Sequence, residues 1–261
     1  MQLPMVKRTE NKISKLRLDL LIVERGLAES REKAQAIIGA GQVLVNGQKQ
    51  DKAGLSVRKD ADICITGEAL PYVSRGGMKL EAALKHFSIA VGGKTALDVG
   101  ASTGGFTDCL LQYGAGTVYA VDVGYGQMAW KLRNDQRIVL IERTNIRDMD
   151  PLLISAVVDI TVIDVSFISL EKVIPAILKF MKPGSELIAL IKPQFEVGRK
   201  QVGKGGIVRD EAAKAAAVSR IIECISRLGL DLKGVIRSPI TGRDGNEEYL
   251  MYAVRPACKI L

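Results

Sequence analysis

The sequence predicts an α/β fold built on a seven-stranded, mostly parallel sheet, with a small α+β module in front of it. Beyond Lys94, short apolar runs rich in β-branched residues alternate with helical patterns, which is typical of a doubly wound sheet that is buried on both faces. Ahead of that point, two short helical patterns are followed by a hairpin signal. A chain of 261 residues is long enough for one large α/β domain and one small module.

Composition and charge favour a cytoplasmic protein with an anionic partner. The chain is 47% hydrophobic and 25% charged, and its formal net charge is +8. This surplus of positive charge favours a polyanion such as nucleic acid as partner. We expect no secretion signal, because the first 15 residues are polar, and no membrane span, because no apolar run is long enough. No zinc site, other metal or disulfide framework is predicted, since no C-x-x-C pair occurs among the cysteines Cys64, Cys109, Cys224 and Cys258.

Residues 1–15 are predicted to be a flexible basic arm, and residues 16–70 a compact module. A first helix starts at Arg17 and ends at Gly26, where a left-handed backbone conformation suits glycine. A second helix follows Ser30 as its N-cap. The pair Asn46–Gly47 lies between two alternating runs and is the strongest hairpin signal in the chain.

The stretch SREKAQAIIGAGQVLVNG resembles the signature of the S4-type RNA-binding domain, with a basic helix, a glycine and a hairpin. The resemblance covers residues 16–65 and implies structured RNA as the partner, held by contacts to phosphates and to shape. We expect RNA contacts from four basic side chains of this module, Arg17, Arg31, Lys33 and Lys49.

Residues 71–78 are predicted to be a linker between this module and a larger domain over residues 79–261. Pro71 disfavours helix, and the run Arg75–Gly77 is basic and rich in glycine. Arg75 is therefore a further candidate for contact with RNA.

Seven apolar runs of the larger domain are predicted as strands. In chain order they are TALDVGA, TVYAVDVG, RIVLIER, ITVIDVSF, ELIALIKP, LKGVIRSP and EEYLMYAV. Helices are expected between them, most clearly over SLEKVIPAILKFM and over a segment that Asp210 caps and Gly229 ends. In such a sheet, ligands bind at the carboxyl ends of the strands.

The glycine-rich stretch ALDVGASTGGFTD begins within the first of these strands and carries a carboxylate, Asp98, two residues before its first glycine. It lacks the lysine of a phosphate-binding P-loop and does not fit the G-x-G-x-x-G dinucleotide motif. A carboxylate would repel a pyrophosphate, whereas it suits a ligand with a cationic centre. Asp122 ends the next strand, where a carboxylate can accept hydrogen bonds from ribose hydroxyls. These features predict S-adenosylmethionine as the cofactor.

In this respect the chain resembles the class I, Rossmann-like, S-adenosylmethionine-dependent methyltransferases. The resemblance implies that the methionyl part of the cofactor is lined by Asp98, Gly100, Ser102, Gly104, Gly105 and Phe106. It implies that Asp122 binds the ribose, and that Asn145 and Ile146 end the third strand and contact the adenine.

Two classes of methyl acceptor are compatible with the residues at the strand ends. The segment Asp164–Phe167 weakly resembles the loop that binds a flipped base in amino-methyltransferases, but it lacks both prolines of that loop. The set Lys79, Asp164, Lys192 and Glu248 instead resembles the tetrad of FtsJ-like RNA 2′-O-methyltransferases, which favours a ribose hydroxyl. In that tetrad Lys192 acts either as general base or as a charge that stabilises the forming alkoxide. The sequence leaves both roles open.

The glycine-rich segment that follows Lys192 is basic and lies at the cofactor end of the predicted sheet. We expect it to be mobile and to close over the RNA backbone through Arg199, Lys200 and Lys204, together with Arg209.

Taken together, the module, SRGGMKLEAAL, DVGASTGGFTDCLL, DVSFISL and IKPQFE resemble the hemolysin A (TlyA-type) family, from about Leu16 to Val254. This resemblance implies methylation of ribose 2′-hydroxyls, typically of cytidines, in ribosomal RNA or ribosomal subunits. Three alternatives remain at this point: a base N-methyltransferase, a non-catalytic RNA-binding assembly factor, and a membrane-lytic hemolysin. The last would need export and an apolar or amphipathic surface that inserts into a bilayer, and neither is evident in the sequence.

Overall fold

The computed structural model describes residues 14–66, 71–242 and 244–257. The chain divides into two compact units, with the boundary between residues 70 and 71. Most of the predicted basic arm, residues 1–13, lies outside the described residues. Its last residue, Lys15, differs from the prediction, because it begins a strand that pairs antiparallel with a second strand through Lys15 and Arg58.

Over residues 14–66, the first unit has two short helices and five short strands. The helices are α1 (Leu18–Glu24) and α2 (Arg31–Gly39); the strands are β1 (Lys15–Arg17), β2 (Val43–Val45), β3 (Gln48–Gln50), β4 (Ser56–Arg58) and β5 (Ile63–Ile65). Strand β2 lies between β3 and β5 in one sheet, and β1 pairs with β4 in another. The apolar faces of both helices enclose the core with β2 and β4; its largest members include Leu18, Ile22 and Ile38.

Local signals in the sequence set the ends of these elements as predicted. Gly26 has a φ of +67° after α1, and the Oγ of Ser30 accepts a hydrogen bond from the Lys33 N–H at 3.2 Å to cap α2. Asn46 and Gly47 have φ values of +50° and +75° between β2 and β3. Positive φ at both central residues is what a two-residue hairpin turn needs in order to match the twist of its strands.

The second unit is a sheet with helices on both faces. Its strands are β6 (Thr95–Val99), β7 (Thr117–Val121), β8 (Ile138–Ile141), β9 (Val158–Ile163), β10 (Met181–Ile191), β11 (Asp231–Arg237) and β12 (Tyr249–Val254). Its helices are α3 (Gly76–His86), α4 (Gly105–Gln112), α5 (Trp130–Arg133), α6 (Leu170–Ile177), α7 (Pro193–Glu196) and α8 (Glu211–Arg227). Within the described residues the sheet has seven strands in the order β11-β12-β10-β9-β6-β7-β8, and β12 is antiparallel to both of its neighbours. The predicted fold class is confirmed.

Alternation along the central strands gives the sheet a separate apolar core on each face. In β6, Leu97 and Val99 point into one core and Ala96 into the other. Strand β6 pairs with β7 on one side and with β9 on the other. The chain connections reverse direction between β6 and β9, and open sheets of this kind bind ligands in the crevice at that point.

The segment predicted to be a linker, residues 71–78, belongs to the second unit. Tyr72 is buried in one of its cores, and Asp108 in α4 accepts a hydrogen bond from the Val73 N–H at 2.8 Å. Helix α3 already begins at Gly76, and a Cβ on Gly77 would lie 2.2 Å from the Tyr72 ring. The prediction was wrong because the Pro and Gly residues, which are typical of flexible segments, here allow close packing around a buried aromatic ring.

Candidate active site

The glycine-rich loop makes a tight turn between β6 and α4. Gly100 and Gly104 have φ values of +86° and +92°, and Ser102 has a φ of +48°. A Cβ on Gly100 would lie 2.5 Å from the backbone oxygen of Asp164, and one on Gly104 would lie 2.3 Å from Leu132 Cδ1. Glycine is therefore required at both positions, for the backbone conformation and for the close approach of neighbouring loops.

Two residues predicted to line the cofactor, Gly105 and Phe106, contribute to the packing of α4. A Cβ on Gly105 would lie 2.2 Å from Ser74 Oγ and 3.0 Å from the backbone nitrogen of Gly77, so Gly105 lets α4 approach the start of α3. The Phe106 side chain is buried in the core of the same face. The groups of these residues that remain suitable for a ligand are their backbone N–H groups, in the first turn of α4.

Asp98 lies within strand β6 and is fully buried, so it is not at the mouth of the loop. Its Oδ2 accepts a hydrogen bond from Thr107 Oγ1 at 2.6 Å. Among the described residues, its buried Oδ1 has no hydrogen-bond partner. Desolvation by burial raises the pKa of Asp98 to about 7. A buried carboxylate oxygen without a donor is energetically costly, and the amino group of a bound ligand would supply that donor.

Asp122 connects the loops that follow β6 and β7. Its Oδ2 accepts a hydrogen bond from the Ser102 N–H at 2.7 Å, and its Oδ1 accepts one from the Gly124 N–H at 2.6 Å. A carboxylate oxygen accepts more than one hydrogen bond, so Asp122 retains acceptor capacity for ribose hydroxyls. S-adenosylmethionine fits the combination of the glycine-rich loop, the unsatisfied oxygen of Asp98 and the position of Asp122.

The predicted adenine contacts do not end the third strand. Strand β8 ends at Ile141, and Asn145 and Ile146 lie in the loop beyond it. The Asn145 side chain accepts a hydrogen bond from the Arg147 N–H at 3.2 Å, and the Ile146 side chain is buried in the core. The strand is shorter than predicted because its β-branched run is followed by a turn in which Arg143 has a φ of +54°.

The four residues of the predicted tetrad form two ion pairs. Lys79 Nζ lies 2.5 Å from Glu248 Oε2, and both side chains are buried. Lys192 Nζ lies 2.6 Å from Asp164 Oδ1. Lys192 Nζ also donates a hydrogen bond to Ser166 Oγ at 2.9 Å.

The sheet register places both ion pairs at the same edge as the glycine-rich loop. Val99 pairs with Ile163, so the loop after β6 and Asp164 after β9 leave the sheet side by side. Ile191 pairs with Tyr249, so Lys192 and Glu248 occupy neighbouring positions at the end of that ladder. Residues that are far apart in the chain are thus brought to one strand edge.

The two adjacent glutamates at the start of β12 have different partners. Glu248 bonds to Lys79, and its Oε1 lies close to Gly242, 2.4 Å from where a Cβ on that glycine would be. Glu247 instead lies 3.0 Å from the Nζ of Lys214 and also pairs with Arg237. The predicted choice of Glu248 agrees with these contacts.

The loop after β9 carries an aromatic residue in an unusual position. Phe167 has a φ of +64°, and 91% of its surface is exposed. Its ring centroid lies 5.1 Å from that of Phe195 in α7. The buried Glu196 joins the two segments, because it accepts hydrogen bonds from Ser169 Oγ at 2.6 Å and from the Leu170 N–H at 2.9 Å. Sequence reasoning missed Glu196, since its role depends on a contact between distant segments.

The basic segment after α7 is anchored to the turn before β12. The buried side chain of Asn246 accepts a hydrogen bond from the Val208 N–H at 2.9 Å and donates one to the Gly206 carbonyl at 2.8 Å. Lys200 and Lys204 are exposed. For Arg199 the structure describes the backbone, which lies in a short 3-10 helix with Lys200. This anchoring was not predicted, because an asparagine in a polar turn gives no signal of burial.

The other predicted RNA contacts are surface or partly buried side chains in both units. In the first unit, Arg17 and Arg31 bond to the same carboxylate, that of Asp19, while Lys33 and Lys49 are exposed. In the second unit, Arg75 is partly buried and directly precedes α3.

Trp130, the single tryptophan of the chain, is 68% exposed at the start of α5. In the part of the chain that the structure describes, no helix is both long and apolar enough to cross a membrane.

Comparison with known families agrees with this arrangement. The model of the FtsJ-like methyltransferase family matches residues 72–255, and that of the S4 domain matches residues 16–63. The chain is 52% identical to YqxC of Bacillus subtilis over 239 residues, which is 91% of this chain and 85% of the relative. It is 46% identical over 237 residues to the 16S/23S rRNA (cytidine-2′-O)-methyltransferase TlyA of Mycobacterium tuberculosis, covering 90% of this chain and 88% of that protein.

A solved structure shares the architecture over nearly the whole chain. A hemolysin-named protein of Streptococcus thermophilus is 41% identical and superposes with a TM-score of 0.74, covering 95% of this chain and 92% of that one. The two family models match residues in both units, and the range 72–255 spans the glycine-rich loop and all four tetrad positions. The chain therefore belongs to the hemolysin A (TlyA-type) family of FtsJ-like methyltransferases.

Proposed function

We propose that this protein transfers a methyl group from S-adenosylmethionine to the ribose 2′-hydroxyl of a cytidine in ribosomal RNA, in the cytoplasm. The observation that carries the proposal is the position of the Lys192–Asp164 and Lys79–Glu248 ion pairs at the same sheet edge as the glycine-rich loop. The printed activity of the Mycobacterium tuberculosis relative supports the choice of ribose and of cytidine. We assign RNA binding to residues 16–70 and methyl transfer to the unit that begins at residue 71.

Residues of the glycine-rich loop and of its neighbours would hold the cofactor. When bound, S-adenosylmethionine supplies an electrophilic methyl group on a sulfonium centre. Asp98 Oδ1 accepts a hydrogen bond from the amino group, and Asp122 accepts bonds from the ribose hydroxyls. The backbone N–H groups at the start of α4 meet the carboxylate, since the N-terminus of a helix favours an anion. Asn145 and Ile146 contact the adenine through their backbone, because the Ile146 side chain is buried.

Lys192 is the residue that acts on the substrate hydroxyl. Its Nζ already contacts Asp164 and Ser166, so one further N–H of the ammonium group remains for the 2′-hydroxyl. From there it either takes the proton of the hydroxyl or stabilises the negative charge that develops on the oxygen. The buried Lys79–Glu248 pair fixes a second cation beside this position.

Replacing Phe167 by alanine should lower kcat/KM for RNA by about 10- to 100-fold. An exposed aromatic ring in the loop after β9, which also carries Asp164, is suited to stack on an unpaired base, and such stacking contributes about 1–3 kcal/mol per base. We expect the melting temperature and the affinity for S-adenosylmethionine to stay unchanged, because the ring is 91% exposed. Leu152→Ala, at an exposed site of similar apolar character, is the control. Wild-type kcat/KM in Phe167→Ala would contradict the stacking role.

Neutralising Lys200 and Lys204 together should raise the KM for ribosomal RNA and reduce its dependence on salt. Each phosphate contact that is lost removes counterion release from the binding equilibrium, so log K falls less steeply with log salt. Because Asn246 anchors this segment, the charges meet RNA without prior closure of the loop. KM is measured at several salt concentrations, with Lys172→Ala on the exposed face of α6 as control. An unchanged salt slope would remove this segment from the RNA interface.

The proposed function is tested by incubating the protein with labelled S-adenosylmethionine and ribosomal subunits, followed by nucleoside analysis. We expect label in 2′-O-methylcytidine. Label on a base would indicate a base N-methyltransferase, and RNA binding without label would indicate an assembly factor. Lysis of erythrocytes by Asp98→Ala without S-adenosylmethionine would instead support a hemolysin.

A further inference from the structure

The first unit contains a fully buried carboxylate, Asp19, that bonds to both arginines expected to meet RNA. Arg17 donates from Nε to Oδ1 at 3.0 Å and from Nη2 to Oδ2 at 2.9 Å. Arg31, from the other helix, donates from Nε to Oδ2 at 3.0 Å. Gln35 Nε2 donates to the same oxygen at 3.0 Å, and the Leu20 N–H donates to Oδ1 at 3.0 Å.

Both guanidinium groups remain accessible in this arrangement. The side chains of Arg17 and Arg31 are 47% and 49% exposed, whereas Asp19 has no exposed surface. A Cβ on Gly54 would be in van der Waals contact with Arg17 Nη1 at 3.5 Å, so the guanidinium lies against this backbone. Each arginine therefore has one part fixed on Asp19 and further N–H groups at the surface.

A carboxylate between two guanidinium groups has two physical effects. It offsets their mutual repulsion, so that two like charges stay close together on the surface. It also restricts their rotamers before a ligand arrives, which lowers the entropic cost of binding. The hydrogen bond from Arg17 holds the pKa of Asp19 well below its usual range, so the carboxylate stays ionised at neutral pH. The set keeps a net charge of +1 toward solvent.

We propose that Asp19 is a positioning residue that presents Arg17 and Arg31 as a preformed pair for one backbone phosphate of the RNA. Guanidinium groups suit this ligand because they donate parallel N–H groups to two phosphate oxygens. The proposal rests on the RNA substrate of the proposed function and adds to it the group that is bound and the residue that orients the pair.

Asp19→Asn distinguishes positioning from simple charge attraction, because the two predict opposite changes in the affinity for RNA. The substitution raises the net charge by one, so charge attraction alone would tighten binding to RNA. Positioning predicts that binding weakens by about tenfold or more, since a charged hydrogen bond to each arginine is weakened. The affinity of the full-length chain for purified bacterial ribosomal RNA is measured by filter binding.

The same unit offers a matched control in Arg58 and Asp60. Arg58 donates from Nε to Asp60 Oδ1 at 2.9 Å and from Nη2 to Oδ2 at 2.7 Å, which repeats the local geometry of Arg17 and Asp19. Asp60 is 50% exposed and has no second arginine among its described hydrogen-bond partners. We expect Asp60→Asn to bind RNA as tightly as the wild type or slightly more tightly.

Charge-conserving variants keep the test valid if Asp19→Asn does not fold. Arg17→Lys and Arg31→Lys preserve the net charge at exposed sites but lose the guanidinium fork, so each should weaken RNA binding while Arg58→Lys does not. In the double variant Arg17→Lys, Arg31→Lys, adding Asp19→Asn should change the affinity for RNA little further. The reason is that the effects of substitutions at coupled residues do not add. RNA binding by Asp19→Asn at or above the wild-type affinity, or full affinity of both lysine variants, would overturn the proposal. The methylated nucleoside made by the unaltered protein tests the proposed function separately.

Discussion

Replacing Asp98 by asparagine is expected to abolish most cofactor binding and, at the same time, to stabilise the protein without cofactor at neutral pH. The variant retains the shape and the hydrogen bond from Thr107 Oγ1 but loses the charge that we propose to bind the amino group of the cofactor. Hydrogen bonds to charged groups contribute about 1.5–3 kcal/mol, so affinity should fall by about 10- to 100-fold. Isothermal titration calorimetry with S-adenosylmethionine measures this loss.

The gain in stability follows from the titration of the buried carboxyl. Burial raises the pKa of Asp98 from 3.8 to about 7, so the folded state holds a proton that the unfolded state releases. The contribution of this carboxyl to the stability of the folded state is complete below pH 4 and is lost as the pH rises to about 7. Wild-type protein should therefore lose up to about 4 kcal/mol of unfolding free energy over that range because of this group. Asp98→Asn should lack this loss, as measured by urea unfolding at pH 5, 6, 7 and 8.

Asp159, in the same sheet, is a control because its pKa is shifted in the opposite direction from that of Asp98. Partial burial opposes its ionisation, but Lys182 and the Thr95 N–H hold its pKa below 3.8. The ionised Asp159 therefore stabilises the folded protein above pH 4. This contribution is lost as the pH falls through the lowered pKa that the group has in the folded state. Asp159→Asn should therefore destabilise the protein at pH 7 without changing cofactor affinity. Parallel pH dependence of stability in wild type and Asp98→Asn would contradict the prediction.

Replacing Lys192 by methionine is expected to lower kcat by about 10³-fold or more while cofactor and RNA still bind. A positioned group that takes a proton contributes about 10²- to 10⁴-fold, and loss of a preformed stabilising charge has a similar effect. Single-turnover transfer of label to ribosomal RNA measures the rate. Lys172→Met, on the exposed face of α6, removes the same charge away from the ion pairs and should leave kcat unchanged.

Lys192→Arg separates the two roles of the lysine. Arginine keeps the charge but does not accept a proton at accessible pH. If Lys192 is the base, the pH–rate profile of the wild type contains an ionisation that disappears in Lys192→Arg, and the rate falls as far as in Lys192→Met. If Lys192 stabilises charge, the arginine variant keeps partial activity and the profile keeps its shape. Wild-type kcat in Lys192→Met would exclude both roles.

Local periodicity and turn chemistry made the fold predictable from the sequence. The β-branched runs gave the strands, and Ser30 and the pair Asn46–Gly47 set a helix start and a hairpin through interactions within a few residues. The four tetrad residues were predicted from the resemblance to FtsJ-like enzymes, and the structure brings them together as two ion pairs. The sequence by itself thus determined the class of fold and the cofactor, whereas the residues of the site stay predictions.

Tertiary structure alone decided which side chains are buried and what each one touches. Asp98 was identified, but its enclosure in β6 with an unsatisfied oxygen depends on helices packed on both faces of the sheet. Tyr72 turns a predicted linker into part of a core, and Asn246 anchors a loop that was expected to move. Asp19 bonds to Arg17 and, in the other helix, to Arg31, although the sequence gives no sign that this aspartate is buried. Burial and hydrogen-bond partners arise from contacts between distant segments, and local pattern does not encode them.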